Sequence, residues 1–355
     1  MPGDWTLSVM GKNGGGPTFT DVPFHALRAT KSLEGPGSMD IDLAVPHMDD
    51  YWTPGLHRVT LEGPYDWSGY ITGLEQSGRP SDGGVYWTAH CLGLGYILDW
   101  RLIRQQITFP DTTADDIVFA ILEHLQDQYN GDMNFSPGTV NGTCDTLNEE
   151  YCFGVVAGDA IREMATEGSG FDWNVNADGE LNIWAGGRGT DTGQNMNPNK
   201  VTDITVNYDT SDLVTTVSII GSQTDPFGPI HDVVYDGAST FGRHEIAIDV
   251  DADNDQRPRL IKAGKAELKA RRGATLNVTA TWVANNDGPW EIGEGIGLGD
   301  RVDLVLDDWF QGTQTARVVD FSIELDTNAP YDFFMEYGFQ GRITDDEIED
   351  VDPDA

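Results

Sequence analysis

Apolar and polar positions alternate with a period of two through much of the first hundred residues, and Gly and Pro punctuate the runs. Val59 and Leu61 alternate with Arg58, Thr60 and Glu62, and after Gly63-Pro64 a second run passes through Tyr70, Thr72 and Leu74. A third run, Val85 to Leu92, follows the turn at Ser81 to Gly84 and sets Val85, Trp87, Ala89 and Cys91 on one face. A strand with one face buried and one face wet gives this alternation, so the segment reads as antiparallel strands of a small barrel or sandwich.

The period then lengthens. From Asp111 to Asp116 the chain opens a segment in which Ile117, Ile121 and Leu125 fall four apart beside Val118 and Leu122, an amphipathic helix. Thr112 or Thr113 is placed to cap it, each with an aspartate three residues on, and the acidic first turn suits the positive end of the helix dipole. A second helix is expected near Ala157 to Glu167, with Ala160, Ile161, Met164 and Ala165 on one face and Gly168 to end it. A hairpin follows, Phe171, Trp173 and Val175 leading into Asn176-Ala-Asp-Gly179 and Leu181 and Ile183 leading out. The stretch from Gly186 to Asn199 is polar and rich in Gly and Asn, which predicts a boundary near residue 200.

Strand character resumes beyond it. Ile204 to Tyr208 and Leu213 to Ile220 are β-branched runs, and His244, Ile246, Ile248 and Val250 alternate with Glu245, Ala247 and Asp249. A third helix fits Arg257 to Arg272, with Pro258 in its first turn and Gly273 as its stop. Further strands are expected at Leu276 to Trp282, Val302 to Leu306, Val319 to Leu325 and Tyr331 to Tyr337, with Val319, Phe321, Ile323 and Leu325 sharing one half-buried face. The fold class expected is mainly β with an α+β insert: two small β-barrel-like domains plus a helix-helix-hairpin domain. The expected divisions are 1–105 for the first barrel, 106–200 for the insert, 201–345 for the second barrel with one helix, and 346–355 for an acidic disordered tail.

Charge changes the picture more than any motif. The chain's 355 residues carry 59 acidic against 21 basic side chains, a formal net charge of -38. Self-repulsion on that scale destabilises a compact chain unless counterions screen it, and at about 1 M salt the Debye length falls to about 3 Å. The lysines are only Lys12, Lys31, Lys200, Lys262, Lys265 and Lys269, so arginine supplies most of the positive charge. A lysine-poor, Asp-rich surface fits molar salt; an acidic protein of an ordinary host is the other reading. Such a surface repels phosphate backbones, which excludes sequence-independent nucleic-acid binding. No apolar run approaches the roughly 18 residues a membrane-spanning helix needs, and Met1-Pro-Gly-Asp-Trp5 does not open like a secretory leader. The expectation is a soluble chain made in a cytoplasm.

Catalytic patterns are absent: the sequence has no HExxH, no GxSxG and no GxxxxGK[ST]. Gly293, Gly295, Gly297 and Gly299 precede a strand, whereas a dinucleotide loop follows one, so they read as a flexible turn. Asp249, Asp251, Asp253 and Asp255 begin like a calcium loop, but Asn254 stands where the sharp turn wants glycine and Leu260 where the bidentate glutamate belongs. An acidic surface loop is the favoured reading and an irregular cation site the alternative. Histidines 25, 47, 57, 90, 124, 231 and 244 are scattered without helical pairing. Cys91, Cys144 and Cys152 have no CxxC spacing. Cys144 and Cys152 bracket a short loop that a disulfide would close outside the cell, while free buried thiols are the favoured reading for all three. Of the ten tryptophans, Trp87 and Trp173 sit in strand patterns that favour the core over a sugar-stacking face. No catalytic, cofactor-binding or metal-binding residue is assigned, and no cofactor is expected.

The order of elements resembles the baseplate hub (tail-tip) proteins of tailed viruses, including the N-terminal part of tail-associated lysins. The matching text comprises Trp87 to Leu94, the helix opening Asp111 to Ile117, and Ala160 to Ala165 running on to Gly170 through Leu181. It continues with Ser211 to Gly221 and with Leu298 to Val305. The resemblance implies a non-enzymatic virion subunit: two similar β domains per chain assembling as a homotrimer, whose ring adapts the six-fold tail tube to a three-fold tip around the DNA exit channel. It implies distal tail or tail-tube proteins, a tape measure and receptor-binding proteins as partners, with DNA passing through unbound. The location implied is the virion tail tip, assembled in the host cytoplasm, and the charge adds a virus of a halophilic archaeon. A carbohydrate- or receptor-binding tail module is the alternative function, and a glycoside hydrolase the next.

Overall fold

The structure is a computed structural model, which describes residues 5–11, 18–33, 35–43, 52, 54–55, 57–63, 66–77, 86–129, 131–166, 170–196, 203–209, 211–221, 231–235, 243–250, 257–271, 275–283, 296–305, 313–326 and 334–343. The N-terminal strands are β1 (Thr6–Gly11), β2 (Thr18–Phe19), β3 (Phe24–Ser32), β4 (Ser38–Leu43), β5 (His57–Glu62), β6 (Trp67–Ser77) and β7 (Tyr86–Gly93). A 3-10 turn, Leu94–Trp100, leads into β8 (Ile107–Thr113), α1 (Ala114–Gln126), β9 (Ser136–Asn141), β10 (Thr146–Tyr151), α2 (Ala157–Thr166), β11 (Phe171–Val175) and β12 (Glu180–Ala185). The remainder begins with β13 (Asp191–Met196), β14 (Asp203–Asp209), β15 (Thr216–Gly221), β16 (His231–Tyr235), β17 (Glu245–Val250) and α3 (Arg257–Arg271). It closes with β18 (Thr275–Val283), β19 (Arg301–Val305), β20 (Thr313–Asp326) and β21 (Phe334–Ile343). This is the mainly β architecture with a helical insert that the alternation predicts.

The two strand-rich halves are sewn into one sheet, ordered β14-β18-β21-β20-β3-β4-β7-β6-β5-β1-β2. The seam is β20, whose residues 320–326 pair with β3 while residues 313–317 pair with β19. Among the described residues the pairing path ends at β14 and β2 without closing, so the barrel-like closure expected of each half gives way to an open sheet. The reason is that β3 takes its second partner from the other half of the chain. One apolar cluster follows the seam, Leu7, Leu27, Ile41 and Leu61 meeting Val278, Val318, Ile323 and Leu325. Each such fully buried aliphatic side chain contributes about 1.5–3 kcal/mol.

Two bulges shift the faces read from simple alternation. In β6 the register slips between Ile71 and Gly73, so Tyr70 packs into the insert's core while Leu74 rests against the main one. In β20 it slips between Val318 and Asp320, so Ala316 and Val318 share the core with Phe321, Ile323 and Leu325, and Val319 does not. A bulge inserts one residue, which flips every later side chain to the opposite face.

The insert buries its own cluster, in which Ile117, Val118, Ile121, Leu122 and Leu125 of α1 meet Ile161 and Met164 of α2 and Leu181 and Ile183 of β12. Thr113 is the N-cap of α1 but its hydroxyl makes no capping bond, and the Ala114 N–H donates to the Asp145 carbonyl at 3.0 Å instead. The β11–β12 hairpin turns through Asn176, whose Oδ1 accepts from the N–H groups of Asp178 and Glu180, with Gly179 at φ +85°. The polar segment before residue 200 holds β13, parallel to β19. A third, small unit packs α3 on β15, with Val217, Ile219, Leu260 and Leu268 buried between them.

Candidate functional site

Three parts of the chain enclose a cleft of about 500 Å³. The end of β3 and the start of β6 form one wall, the β11 hairpin and the last turn of α2 the second, and Arg188 with Leu298 the third. Close backbone approach holds Pro36, one of the lining residues, in place, since its carbonyl would lie 1.8 Å from a Cβ on Gly93. Side-chain volume at that position is therefore excluded. Apolar walls come from Trp67, Phe171 and Trp173, and the Trp67 indole N–H donates to the Thr30 carbonyl at 3.2 Å.

Cationic groups gather here in a chain that has few. Lys31 pairs with Asp66 at 2.9 Å, and burial nevertheless pulls its ammonium below the usual lysine range, with Asp66 opposing. Arg162 reaches Asp99 and Asp159, both at 2.7 Å. Arg317 from β20 bonds the Asp172 carboxylate of β11, which also accepts from the Arg188 main-chain N–H. The Arg317 guanidinium donates as well to the Arg188 carbonyl at 3.3 Å, so one pair of side chains ties the insert hairpin, the loop after it and the main sheet together.

Arg188 is different. Its guanidinium lies 4.6 Å from the ring centre of Trp184 and makes no ion pair among the described residues. Burial pulls its pKa below the usual arginine range, opposed by the charges of Asp172, Asp300 and Asp66. Nearby, Asn174 lines the cleft and its Oδ1 is buried without a hydrogen-bond partner. Arg58, lowered by burial, donates to the Ala177 carbonyl and to Ser68 Oγ but leaves its Nε buried and unpartnered.

Few of the residues singled out from sequence meet at this place. Trp173 does, half-buried in the cleft wall, while Trp87 packs against the main core. Asp249 is the next-to-last residue of β17, and Asp251, Asp253 and Asp255 lie outside the described residues, as do His47, Gly293, Gly295 and residues 345–354. Gly299 is in a turn at φ +86°. Among the described residues no three His, Cys, Asp or Glu side chains lie where they could share a metal ion. All three cysteines are free. Cys91 and Cys144 are buried, but Cys152 is exposed, against the expectation of a buried thiol, because it follows the inward-facing Tyr151 at the end of β10. The cleft's arginines carried no sequence signal, since their convergence depends on pairings between distant residues, Arg162 with Asp99 across 63 positions and Arg317 with Asp172 across 145.

No family model matches this sequence, and no curated protein matches it. Solved structures do. The chain has the fold of viral tail proteins. A tail protein from Neisseria meningitidis superimposes over 95% of this chain and 96% of its own, with a TM-score of 0.67 at 14% identity. The 43 kDa tail protein of prophage MuSo2 from Shewanella oneidensis covers 95% of this chain and 98% of its own, with a TM-score of 0.69 at 12% identity. A component of the Escherichia coli type VI secretion system, described as structurally similar to the T4 bacteriophage tail proteins gp27 and gp5, covers 95% of this chain and 77% of its own, with a TM-score of 0.56 at 11% identity. The cleft's walls are drawn from the first, middle and last thirds of this chain.

Proposed function

We propose that the protein is a non-enzymatic structural subunit of a virion, the baseplate hub at the tip of the tail. The observation that carries this reading is the near end-to-end likeness to tail proteins, 95% of this chain against 96–98% of two of them. In this reading residues 1–105 and 201–345 are ring segments, 106–200 the insert beside them, and 346–355 an acidic tail. Three copies form a ring that adapts the six-fold tail tube to a three-fold tip around the DNA exit channel, with tube, tape-measure and receptor-binding proteins as neighbours. An acidic lumen suits that task, because carboxylates keep phosphates from adhering as DNA passes. The charge further supports a virus of a halophilic archaeon.

Light scattering after size exclusion in molar KCl tests the assembly. A mass of three times the 38.9 kDa chain is expected. A monomer at every concentration, or a dimer, sinks the ring.

A further inference from the structure

We propose that an exposed apolar patch at the insert, built by Trp100, Leu102, Tyr129 and Phe153 around Arg104, is the surface through which one copy of the chain docks on the carboxylate-rich surface of the next. These four are among the seven large apolar side chains that stand exposed among the described residues, with 48%, 41%, 90% and 74% of their surface open to water. Hydrogen bonds draw their segments together. Leu102 forms a bridge with Val156, the Ile103 carbonyl accepts from the Gly154 N–H at 2.8 Å beside Phe153, and the Leu102 carbonyl accepts from the Gln128 side chain at 3.1 Å beside Tyr129. Arg101 is extended, so Trp100 and Leu102 lie on one side of the strip while Ile103 turns into the core of the insert.

Charge decides what covers the patch. The runs 100–106 and 152–158, bonded to each other, hold Arg101 and Arg104 and no carboxylate, in a chain where 59 of 355 residues are acidic. The acids that flank the two runs, Asp99 and Asp159, are both held by Arg162. The Arg104 main-chain N–H donates to His124 Nε2 at 3.2 Å, and its exposed guanidinium makes no ion pair among the described residues. Aromatic side chains and arginine with few acids are the composition of the centre of a protein–protein contact. Its complement is an acidic surface, which every other copy of this chain supplies. Patch against patch would set Arg104 against Arg104, so the contact runs head to tail, and such contacts build rings or filaments and not dimers. The inference rests on the ring reading above and gives that ring one of its contact surfaces.

The test is light scattering after size exclusion in molar KCl, on the full chain and on the double variant Arg104→Glu with Phe153→Ser, both changes falling on exposed side chains. Circular dichroism checks that the variant folds. Its assembly should dissociate at least tenfold more readily than that of the unaltered chain, whereas Tyr235→Ser, on an exposed aromatic of β16, should leave assembly unchanged. Tyr129→Ser serves if the double variant does not fold, and should weaken assembly in the same direction. A trimer as stable in the variants as in the unaltered chain overturns the patch and leaves the ring standing. An assembly of more than two copies but not three, lost in the variant, keeps the patch and overturns the three-fold ring. A chain that stays monomeric or forms a dimer overturns both. Flotation on phosphatidylcholine vesicles that the variant abolishes while assembly persists assigns the patch to a lipid surface and overturns the proposal.

Discussion

Individual side chains are held by neighbours that local sequence does not reveal, and His90 is the clearest case. Its Nδ1 lies 2.7 Å from Asp40 Oδ1 on β4, and its Nε2 lies 3.5 Å from Glu75 on β6. The hydrogen bond to Asp40 raises its pKa above 6.5, desolvation opposes, and the Asp40 and Glu75 charges add to the rise. A histidine whose folded pKa is raised stabilises fully below its unfolded value and loses that contribution as pH climbs through the folded one. Melting temperature should therefore decline as pH rises above 6.5, and His90→Gln should flatten that part of the profile. An identical slope in the variant assigns the effect to other groups. Thiols give a second check at this scale. Burial pushes the Cys91 thiol far up and Cys144 up to about 11, while Cys152 is exposed, so iodoacetamide on the native protein should label Cys152 and spare the other two. Mass spectrometry after native labelling reads this directly, and modification of Cys91 at the rate of Cys152 would contradict the packing.

Among the elements, tight contacts and bulges decide where faces point. In α3, a Cβ placed on Gly264 would sit 2.3 Å from Ile219 Cδ1 and 3.3 Å from Val234, so the helix lies close against β15 and β16. Gly264→Ala gains about 1 kcal/mol of helix propensity but drives its methyl into Ile219, which is fully buried, so it should cost a net of about 1 kcal/mol, whereas Gly264→Leu overpacks the contact further and should cost about 3 kcal/mol. Denaturant midpoints of the two variants separate these outcomes, and equal midpoints would place α3 farther from its sheet. Likewise Asp172→Ala cuts the link from the insert hairpin to Arg317 and to the Arg188 N–H, and should lower stability by about 1.5–3 kcal/mol. Helices α1 and α2 were legible in the sequence from their apolar spacing, and α3 from Pro258 in its first turn, its Ala-rich body and Gly273 after it, all of which are local signals. The bulges in β6 and β20 were not, since an inserted residue leaves the composition of a run unchanged while moving Tyr70 and Val319 off the expected face. Nor was β13, a polar strand that owes its form to parallel pairing with β19 and not to an apolar side. The cleft was less legible still, because Arg317 and Asp172 are 145 positions apart.

At the scale of the whole molecule the decisive quantity is charge density on a continuous sheet. The β3–β20 seam makes both strand-rich halves share one apolar cluster, so repulsion on the surface of that sheet is felt by a core common to both. With a net charge of -38, that repulsion is screened over about 8 Å at 0.15 M salt and about 3 Å at 1 M. Raising KCl across this interval should lift the melting temperature by several degrees, since about 1 kcal/mol moves a unit of about 150–250 residues by about 2–4 °C. The shape of the curve separates two causes. Screening saturates once the Debye length falls below the spacing of neighbouring carboxylates, so most of the gain should arrive by about 1 M. Salts that strengthen apolar burial keep adding stability beyond that point, and sulfate does so more than chloride. A plateau in KCl that sulfate does not exceed at matched ionic strength assigns the dependence to carboxylate repulsion. A flat response from dilute to molar salt removes the charge-based case for a halophilic host and leaves the tail-protein fold untouched.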